Sequence, residues 1–219
     1  MQVKLYNIFG KIKIEGEYKS LTDCMVKNKY KLGFVDFQGI DCNGTDFSGA
    51  NFREADCSYA DFRGAKCKEA DCIYTNFRGA NCSRADFREA NCRDAVCCDA
   101  DFRGANCNGA DFRGADCRGT DFREAEFCLA NCRGADFREA KIEISQLYLA
   151  DCVNAMLDHP LIKIHGSRDL FCYYNGWVKI GCERHTIEEW LNHGPFTNEY
   201  NKEQQKEYMG YIRMIGKME

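Results

Sequence analysis

Residues 101–125 read DFRGA NCNGA DFRGA DCRGT DFREA, five consecutive copies of one five-residue unit. The same unit recurs in register from Asp36 to Ala155 without an insertion or a deletion, which makes twenty-four copies. Its central residue is Phe eleven times and Cys eleven times, with Ile142 and Leu147 at the other two centres. A period of five fits neither a strand nor a helix, so this stretch predicts a stack of short repeats.

The pattern of residue types separates an inside from an outside. The residue two positions before each centre is nearly always Ala, and a position restricted to small side chains must be enclosed. We therefore expect the small residue and the centre to point inward, and the other three residues of each unit to face solvent. The predicted core is formed by the centres Phe37, Cys42, Phe47, Phe52, Cys57, Phe62, Cys67, Cys72, Phe77, Cys82, Phe87, Cys92, Cys97, Phe102, Cys107, Phe112, Cys117, Phe122, Phe127, Cys132 and Phe137.

The repeat resembles the pentapeptide-repeat family, and the resemblance covers about 120 of the 219 residues. It implies a mainly β fold, a right-handed quadrilateral β-helix (β-solenoid) in which four units form one coil. Twenty-four units would then give about six coils, each rising about 4.8 Å. The family usually centres on Leu or Phe, whereas this chain alternates Phe with Cys. Centres twenty residues apart then mostly place a large side chain over a small one.

The segments on either side of the array predict small α/β caps at both ends. The expected domains are an N-terminal β-hairpin plus helix cap at 1–35, the pentapeptide-repeat β-helix at 36–155, and a C-terminal β-hairpin plus two-helix module at 156–219. A solenoid end exposes apolar side chains and unpaired backbone groups, and a cap covers them.

Several local signals define the elements of these caps. Ser20 is a candidate N-cap with Asp23 three residues later, in a helix whose Leu21, Met25 and Val26 would face the first coil. Near the other end, Asn175-Gly176 is typical of a tight hairpin turn. Thr186 and Glu189 form a capping-box pattern before a helix that would carry Trp190 and Leu191 inward, and a last helix is expected over about 202–215.

Sixteen cysteines would usually suggest a secreted disulfide framework, but eleven of them share the central position with Phe. A position that accepts Phe or Cys is an apolar slot, so we interpret these thiols as packing residues. The N-terminus lacks the long apolar run of a signal peptide, and we expect a cytoplasmic protein. Cys98 and Cys128 follow a centre, point outward by the pattern, and are the array thiols expected to react quickly.

The formal net charge is −4, too small to indicate a nucleic-acid binder. The array holds 22 acidic and 15 basic residues, a net charge of −7. Arginines spaced at multiples of twenty form three columns, each beside acidic residues. One contains Arg78, Arg118 and Arg138, and the other two are the candidate interaction face. The Arg53 column contains Arg53, Arg93, Arg113 and Arg133, and the Arg63 column contains Arg63, Arg103 and Arg123. Such columns are typical either of a self-compensating solvated surface or of a binding face.

Two groups of residues near the C-terminus are candidates for a metal site and for a catalytic site. Cys172, Cys182, His185 and His193 have spacings that match no familiar zinc motif. His165 to Asp169 contains His, Ser and Asp, but neighbouring residues of one segment do not form a catalytic triad. We therefore expect no enzyme activity and no cofactor.

The sequence favours a non-catalytic structural or interaction protein that presents a rigid rod-like β-helix surface to an unidentified protein partner. Because some members of the family imitate duplex DNA, the resemblance also implies a second reading, a DNA-mimic that binds DNA gyrase or topoisomerase IV. A redox or metal-binding C-terminal module is the third. No direct contact with nucleic acid or with a membrane is expected, and the C-terminal module is a candidate surface for a homodimer.

Overall fold

The chain forms two compact units, Met1–Met156 and Leu157–Glu219. The computed structural model describes residues 1–147, 149–158, 162–165, 170–174, 177–180, 183–193 and 202–215. Within those residues, no helix is long and apolar enough to cross a membrane.

Parallel backbone pairing between residues twenty apart builds the first unit. The bridges run in steps of five from Asp36 with Asp56 to Asp136 with Met156, with one gap. From Phe37 to Phe137, every central N–H except that of Phe127 donates to the carbonyl nineteen residues later, as from Phe87 to Asn106 at 2.7 Å. Four five-residue units therefore complete one coil, and the fold is a β-solenoid.

A left-handed residue in every unit turns the chain at each corner. The second residue after each centre has φ between 55° and 69° from Gly39 to Glu139, whether it is Gly or not. The acidic or amide residue before the centre supports the turn, because its Oδ1 accepts the N–H two residues later. In the unit centred on Phe102, Asp101 accepts from the Arg103 N–H at 3.0 Å. The Asp/Asn and Gly positions of the repeat are therefore turn residues.

The centres form the core, as the sequence predicts. Every central side chain from Phe37 to Phe137 is at most 1% exposed, and the intervening small residues from Thr45 to Ala135 are at most 5% exposed. The phenylalanine rings touch one another in an unbroken series along the coils, with centroids 5.0–6.5 Å apart. Alternation with Cys therefore keeps the rings from stacking directly in most columns, while they still meet at their edges.

The N-terminal segment adds backbone pairing to the first coil. The first two strands are antiparallel, and Asn7, directly after the first strand, bridges to Val35 at the start of the array. The backbone carbonyl of Lys29 accepts the N–H of Asn51 at 2.8 Å. The elements are β1 (Gln2–Tyr6), β2 (Ile12–Glu17), α1 (Leu21–Lys27) and a short 3₁₀ helix (Lys29–Lys31).

Helix α1 begins as predicted. Ser20 Oγ accepts the N–H of Asp23 at 3.0 Å, which confirms Ser20 as the N-cap. Met25 is fully buried, but Val26 is 37% exposed, so the inward assignment of Val26 was wrong. Cys24, which the sequence analysis did not assign, fills the buried face beside Met25.

One rung of the solenoid is open. Lys141 pairs with Asp121 and Asp151 pairs with Asn131, so the register is the same on both sides of the gap. Between them, helix α2 (Ile144–Leu147) replaces the regular turn. Ile144 stands at the repeat position that is left-handed in every earlier unit, a conformation that β-branched residues disfavour, and no earlier unit has a β-branched residue there.

The second unit contains a four-stranded antiparallel sheet, in which each strand pairs with the next along the chain, and two helices. The sheet is larger than the expected hairpin, because segments on both sides of that hairpin add a strand. The last helix, Lys202–Ile215, has the predicted extent. The elements are β3 (Ile162–His165), β4 (Leu170–Tyr174), β5 (Trp177–Ile180), β6 (Glu183–Thr186), α3 (Ile187–His193) and α4 (Lys202–Ile215).

The capping box at α3 is confirmed. Thr186 Oγ1 accepts the Glu189 N–H at 3.2 Å, and Glu189 Oε2 accepts the Thr186 N–H at 2.8 Å. Trp190 is 1% exposed as expected, whereas Leu191 is 44% exposed, so its inward assignment was wrong. The predicted hairpin turn at 175–176 lies outside the described residues.

Truncating one ring tests the core. We expect Phe87→Ala to lower the free energy of unfolding by about 3–5 kcal/mol, because it leaves a cavity beside Phe77 and Phe102. The control Arg88→Ala removes the neighbouring exposed side chain and should cost about 0–1 kcal/mol. Denaturant unfolding followed by circular dichroism measures both. Equal losses for the two variants contradict the inward assignment of Phe87.

Candidate interaction groove on the solenoid surface

Most surface arginines pair with the aspartate of their own unit. The guanidinium Nε and Nη2 approach the two carboxylate oxygens of the residue two positions earlier, at 2.8–2.9 Å and 2.5–2.7 Å. The same Asp accepts the backbone N–H of that arginine. One carboxylate therefore holds both the turn and the arginine, and the guanidinium has a fixed orientation. The arginines held in this way are Arg63, Arg88, Arg103, Arg113, Arg118, Arg123 and Arg138.

Four array arginines stand two residues after an Asn and pair with a different carboxylate: Arg53, Arg78, Arg93 and Arg133. Arg53 reaches Asp71 in the next coil at 3.1 Å, and Arg133 reaches Asp151 at 3.3 Å. Arg93 lies 3.6 Å from Asp94. Where Asn replaces the Asp, the arginine therefore pairs with another carboxylate, in the next coil for Arg53 and Arg133 and in the adjacent residue for Arg93.

The two arginine columns of the candidate interaction face therefore differ. The Arg53 column mixes two pairs within a unit, at Arg93 and Arg113, with two pairs to the next coil, at Arg53 and Arg133. The Arg63 column consists only of pairs within a unit. Since four units make a coil and the two columns are two units apart, they lie on different sides of the solenoid.

A groove of about 620 Å³ runs along the Arg63 column. The array interrupts the column at one unit, where Asn81 and Ser83 replace the Asp and Arg pair. Ser83 Oγ donates to Asn81 Oδ1 at 2.7 Å. We call this surface the Arg84 groove, and it is lined by Asn43, Arg63, Gly64, Ser83, Arg84, Arg103, Gly104, Arg123 and Glu124.

Arg84 is the cation of this groove that sequence analysis missed. It stands at the left-handed corner position, with φ of 58°, and outside the spacing of the column. A Cβ built on Gly104 would lie 3.6 Å from Arg84 Cγ, so the arginine stem extends over this glycine. No carboxylate in the described part of the chain forms an ion pair with Arg84. The signal in the sequence was an Arg at a position otherwise dominated by Gly and Glu.

The paired arginines retain donors for a partner. In Arg63, Arg103 and Arg123 the contacts to Asp use Nε and Nη2, and Nη1 has no acceptor among the described residues. The hydrogen bonds from arginine hold the pKa of Asp61, Asp101 and Asp121 below its usual value. The groove is therefore lined by ordered guanidinium groups whose free edges face solvent.

The array cysteines are free thiols, and most are buried. Burial raises the pKa of Cys42 to about 12 and that of Cys57 well above its usual value. Cys128 is exposed as predicted, but Cys98 is only 3% exposed, so the prediction of a reactive Cys98 was wrong. Arg78 and Arg118, twenty residues before and after it, line the same surface cavity, and burial raises its pKa to about 11.

The other candidate groups lie wholly or partly outside the described residues. Residues 166–169 and Cys182 are not among them, and the side chains of Cys172, His185 and His193 are not described. The redox or metal-binding reading of the C-terminal module therefore stays a prediction.

Thiol labelling tests the exposure of these residues. A maleimide dye should modify Cys128 at least about tenfold faster than Cys98, because only the first is accessible and the second has a raised pKa. Mass spectrometry of proteolytic fragments measures each site separately. In Cys128→Ser, fast labelling within residues 36–155 should disappear. Rapid modification of Cys42 or Cys57 in the folded protein would contradict the packing account.

Acid titration tests the ion pairs. The pKa of Asp101 is lowered by Arg103, so its stabilising effect is complete above the unfolded pKa of about 3.9 and is lost as the pH falls through the folded value. We expect the free energy of unfolding to fall below about pH 4 in the parent, and to fall less steeply in Asp101→Asn. Arg103→Gln should flatten the profile equally, and the double variant should add nothing. Additive effects would mean that the two groups act separately.

Comparison with known proteins gives one family and a set of structures. The model of the pentapeptide repeats (8 copies) matches residues 31–66, 65–104, 80–116, 90–127 and 105–143, just over half of the chain. A comparison with curated protein sequences gave no match.

Among solved structures, the chain is similar to a pentapeptide repeat protein from the Arabidopsis thaliana thylakoid lumen, at 30% identity over 54% of this chain and 79% of that one, with a TM-score of 0.36. HetL, a pentapeptide repeat protein involved in heterocyst differentiation regulation in Nostoc sp. PCC 7120, shows 23% identity, with 55% of this chain and 65% of HetL covered and a TM-score of 0.39. QnrB1, a plasmid-mediated fluoroquinolone resistance protein, shows 19% identity, with 56% of this chain and 85% of QnrB1 covered and a TM-score of 0.26. On the match to the family model, this chain belongs to the pentapeptide-repeat family.

Proposed function

We propose that this protein is a non-catalytic interaction protein whose solenoid binds a protein partner through the Arg84 groove. The observation that carries the proposal is the set of guanidinium groups fixed by their own aspartates at 2.6 Å along the groove. Side chains that are ordered before binding lose little entropy when a partner arrives. The surface is therefore pre-organised for recognition.

The groove also defines the chemistry of the partner. The Nη1 groups of three arginines and the unpaired Arg84 all offer hydrogen bonds from cations, which carboxylates accept best. Adjacent coils are about 4.8 Å apart, so Arg103 and Arg123 offer donors at that spacing. A segment of the partner with acidic side chains fits this pattern. The Arg53 column lies outside the groove and is a second, less ordered surface.

A photo-crosslinking amino acid tests the proposal. Benzoylphenylalanine placed at Ser83, inside the groove, should give a protein adduct in cells that produce the chain, and the same residue placed at Gln38, which is exposed on another side, should not. Arg84→Glu should abolish the adduct from Ser83, because it reverses the unpaired charge. Identical adducts from Ser83 and Gln38, or an adduct insensitive to Arg84→Glu, contradict the proposal.

Imitation of duplex DNA towards gyrase or topoisomerase IV is the second candidate, and the net charge of −7 on the array favours it. The ion pairs weigh against it, since seven arginines lie directly over aspartates and reduce the negative potential of the surface. A supercoiling assay, with and without a quinolone and with micromolar protein, separates the candidates. Inhibition of gyrase or relief of quinolone inhibition supports DNA imitation, and Arg84→Glu should then strengthen the effect.

A further inference from the structure

The open rung leaves main-chain donors without acceptors. On either side of it, the backbone N–H of Phe122 donates to the carbonyl of Lys141 at 3.0 Å, and that of Cys132 donates to the carbonyl of Asp151 at 2.7 Å. Within the described part of the chain, no acceptor meets the N–H groups of Phe127 and Leu129. Phe127 is 1% exposed, so its N–H, which has no acceptor among the described residues, belongs to a buried residue. Such a donor is unfavourable until an acceptor arrives.

The carbonyl groups of the same edge are already satisfied. Gln146 Nε2 donates to Ala125 O at 2.8 Å and also to Phe122 O. The backbone N–H of Gln146, which a regular rung would use, donates instead to Glu143 O at 3.0 Å. The side-chain amide thus replaces the backbone donor, and what the edge still lacks is acceptors.

A cavity of about 370 Å³ lies at this edge. Phe127, Cys128, Gln146 and Leu149 are among its lining residues. Leu149 is 51% exposed, and the neighbouring Leu129 is 74% exposed, so apolar side chains flank the unpaired donors. We call this cavity the rung slot.

Two carboxylates stand at the slot without a cation. Glu126 Oε2 accepts from the amides of Asn106 and Asn108, each at 2.8 Å. No cationic nitrogen of the described residues lies within 4.0 Å of the carboxylate of Glu124 or Glu126. These two side chains would repel a ligand that carries a carboxylate and attract a segment that carries a positive side chain.

We propose that the rung slot binds an extended peptide segment of a partner protein. Its carbonyls accept the N–H groups of Phe127 and Leu129, which completes the missing rung by strand addition. An apolar side chain of the segment packs on Leu149, and a Lys or Arg lies beside Glu124. This site goes beyond the Arg84 groove, with which it shares only Glu124 among the lining residues, and it selects a basic rather than an acidic segment.

The test uses the full chain and a defined probe, the blocked peptide acetyl-Lys-Val-Thr-Leu-Thr-Val-Lys-amide carrying a fluorescent label. Fluorescence anisotropy should show saturable binding below 1 mM. In ¹⁵N spectra the amide resonances of Phe127 and Leu129 should move downfield on binding. The matched peptide with Glu in place of both Lys should bind at least about tenfold more weakly, because it meets Glu124 and Glu126.

Variants at one position open or close the slot. Ile144→Gly permits the left-handed corner, so the chain can form its own rung, and we expect affinity for the Lys peptide to fall by about tenfold or more. Ile144→Val keeps the β-branched side chain and should bind as the parent does. Circular dichroism confirms that both variants fold.

The proposal is overturned if the Lys peptide does not bind, if it binds parent and Ile144→Gly equally, or if the Phe127 and Leu129 amides do not move. Equal binding of the Glu and Lys peptides also overturns it. Arg84→Glu should leave peptide binding unchanged, so failure at the slot is distinguishable from failure at the groove. A shift of Phe127 and Leu129 that rises with protein concentration and needs no peptide would instead identify a second copy as the occupant.

Discussion

A left-handed corner at every fifth residue is the constraint on which the solenoid depends. It turns the chain often enough for residues twenty apart to pair, and the parallel rungs then hold the corners in place. The corner accepts Gly, Glu, Asp, Tyr, Arg and Leu, so glycine is not required there. It does not form at Ile144, the one β-branched residue that the array places there. The one irregular rung therefore coincides with the one unit whose corner residue is β-branched.

The sequence predicted the parts of the fold that the period controls. The inward centres and small residues are buried as expected, because a side chain that fills a stack has no alternative orientation. The exposure of single residues was less predictable. Cys98 stands at an outward position of the repeat, yet it is buried and its Sγ lies 3.8 Å from the carbonyl oxygen of Asp116 in the next coil. Val26 and Leu191 are apolar but exposed, because a short helix buries only one face.

The candidate sites depend on departures from the repeat that no periodic pattern predicts. The arginine columns were visible in the sequence, but the groove exists because Ser83 interrupts one of them and Arg84 stands beside the interruption. The rung slot follows from Ile144 and from Gln146, whose side chain takes over a backbone hydrogen bond. Spacing alone shows where such residues stand, while the direction of their side chains depends on contacts with the coils above and below.

The pairing of each arginine with the aspartate two residues earlier has a consequence for how such a chain changes in length. A unit that contains both members of an ion pair and the support of its own turn is self-contained. Duplication or loss of twenty residues then adds or removes one whole coil and leaves each ion pair within a remaining unit intact. Pairs that cross a coil boundary, such as Arg53 with Asp71, do not have this property. Pairs across a boundary therefore fix the order of neighbouring coils, whereas a unit whose charges pair only with each other can be duplicated without loss of a partner.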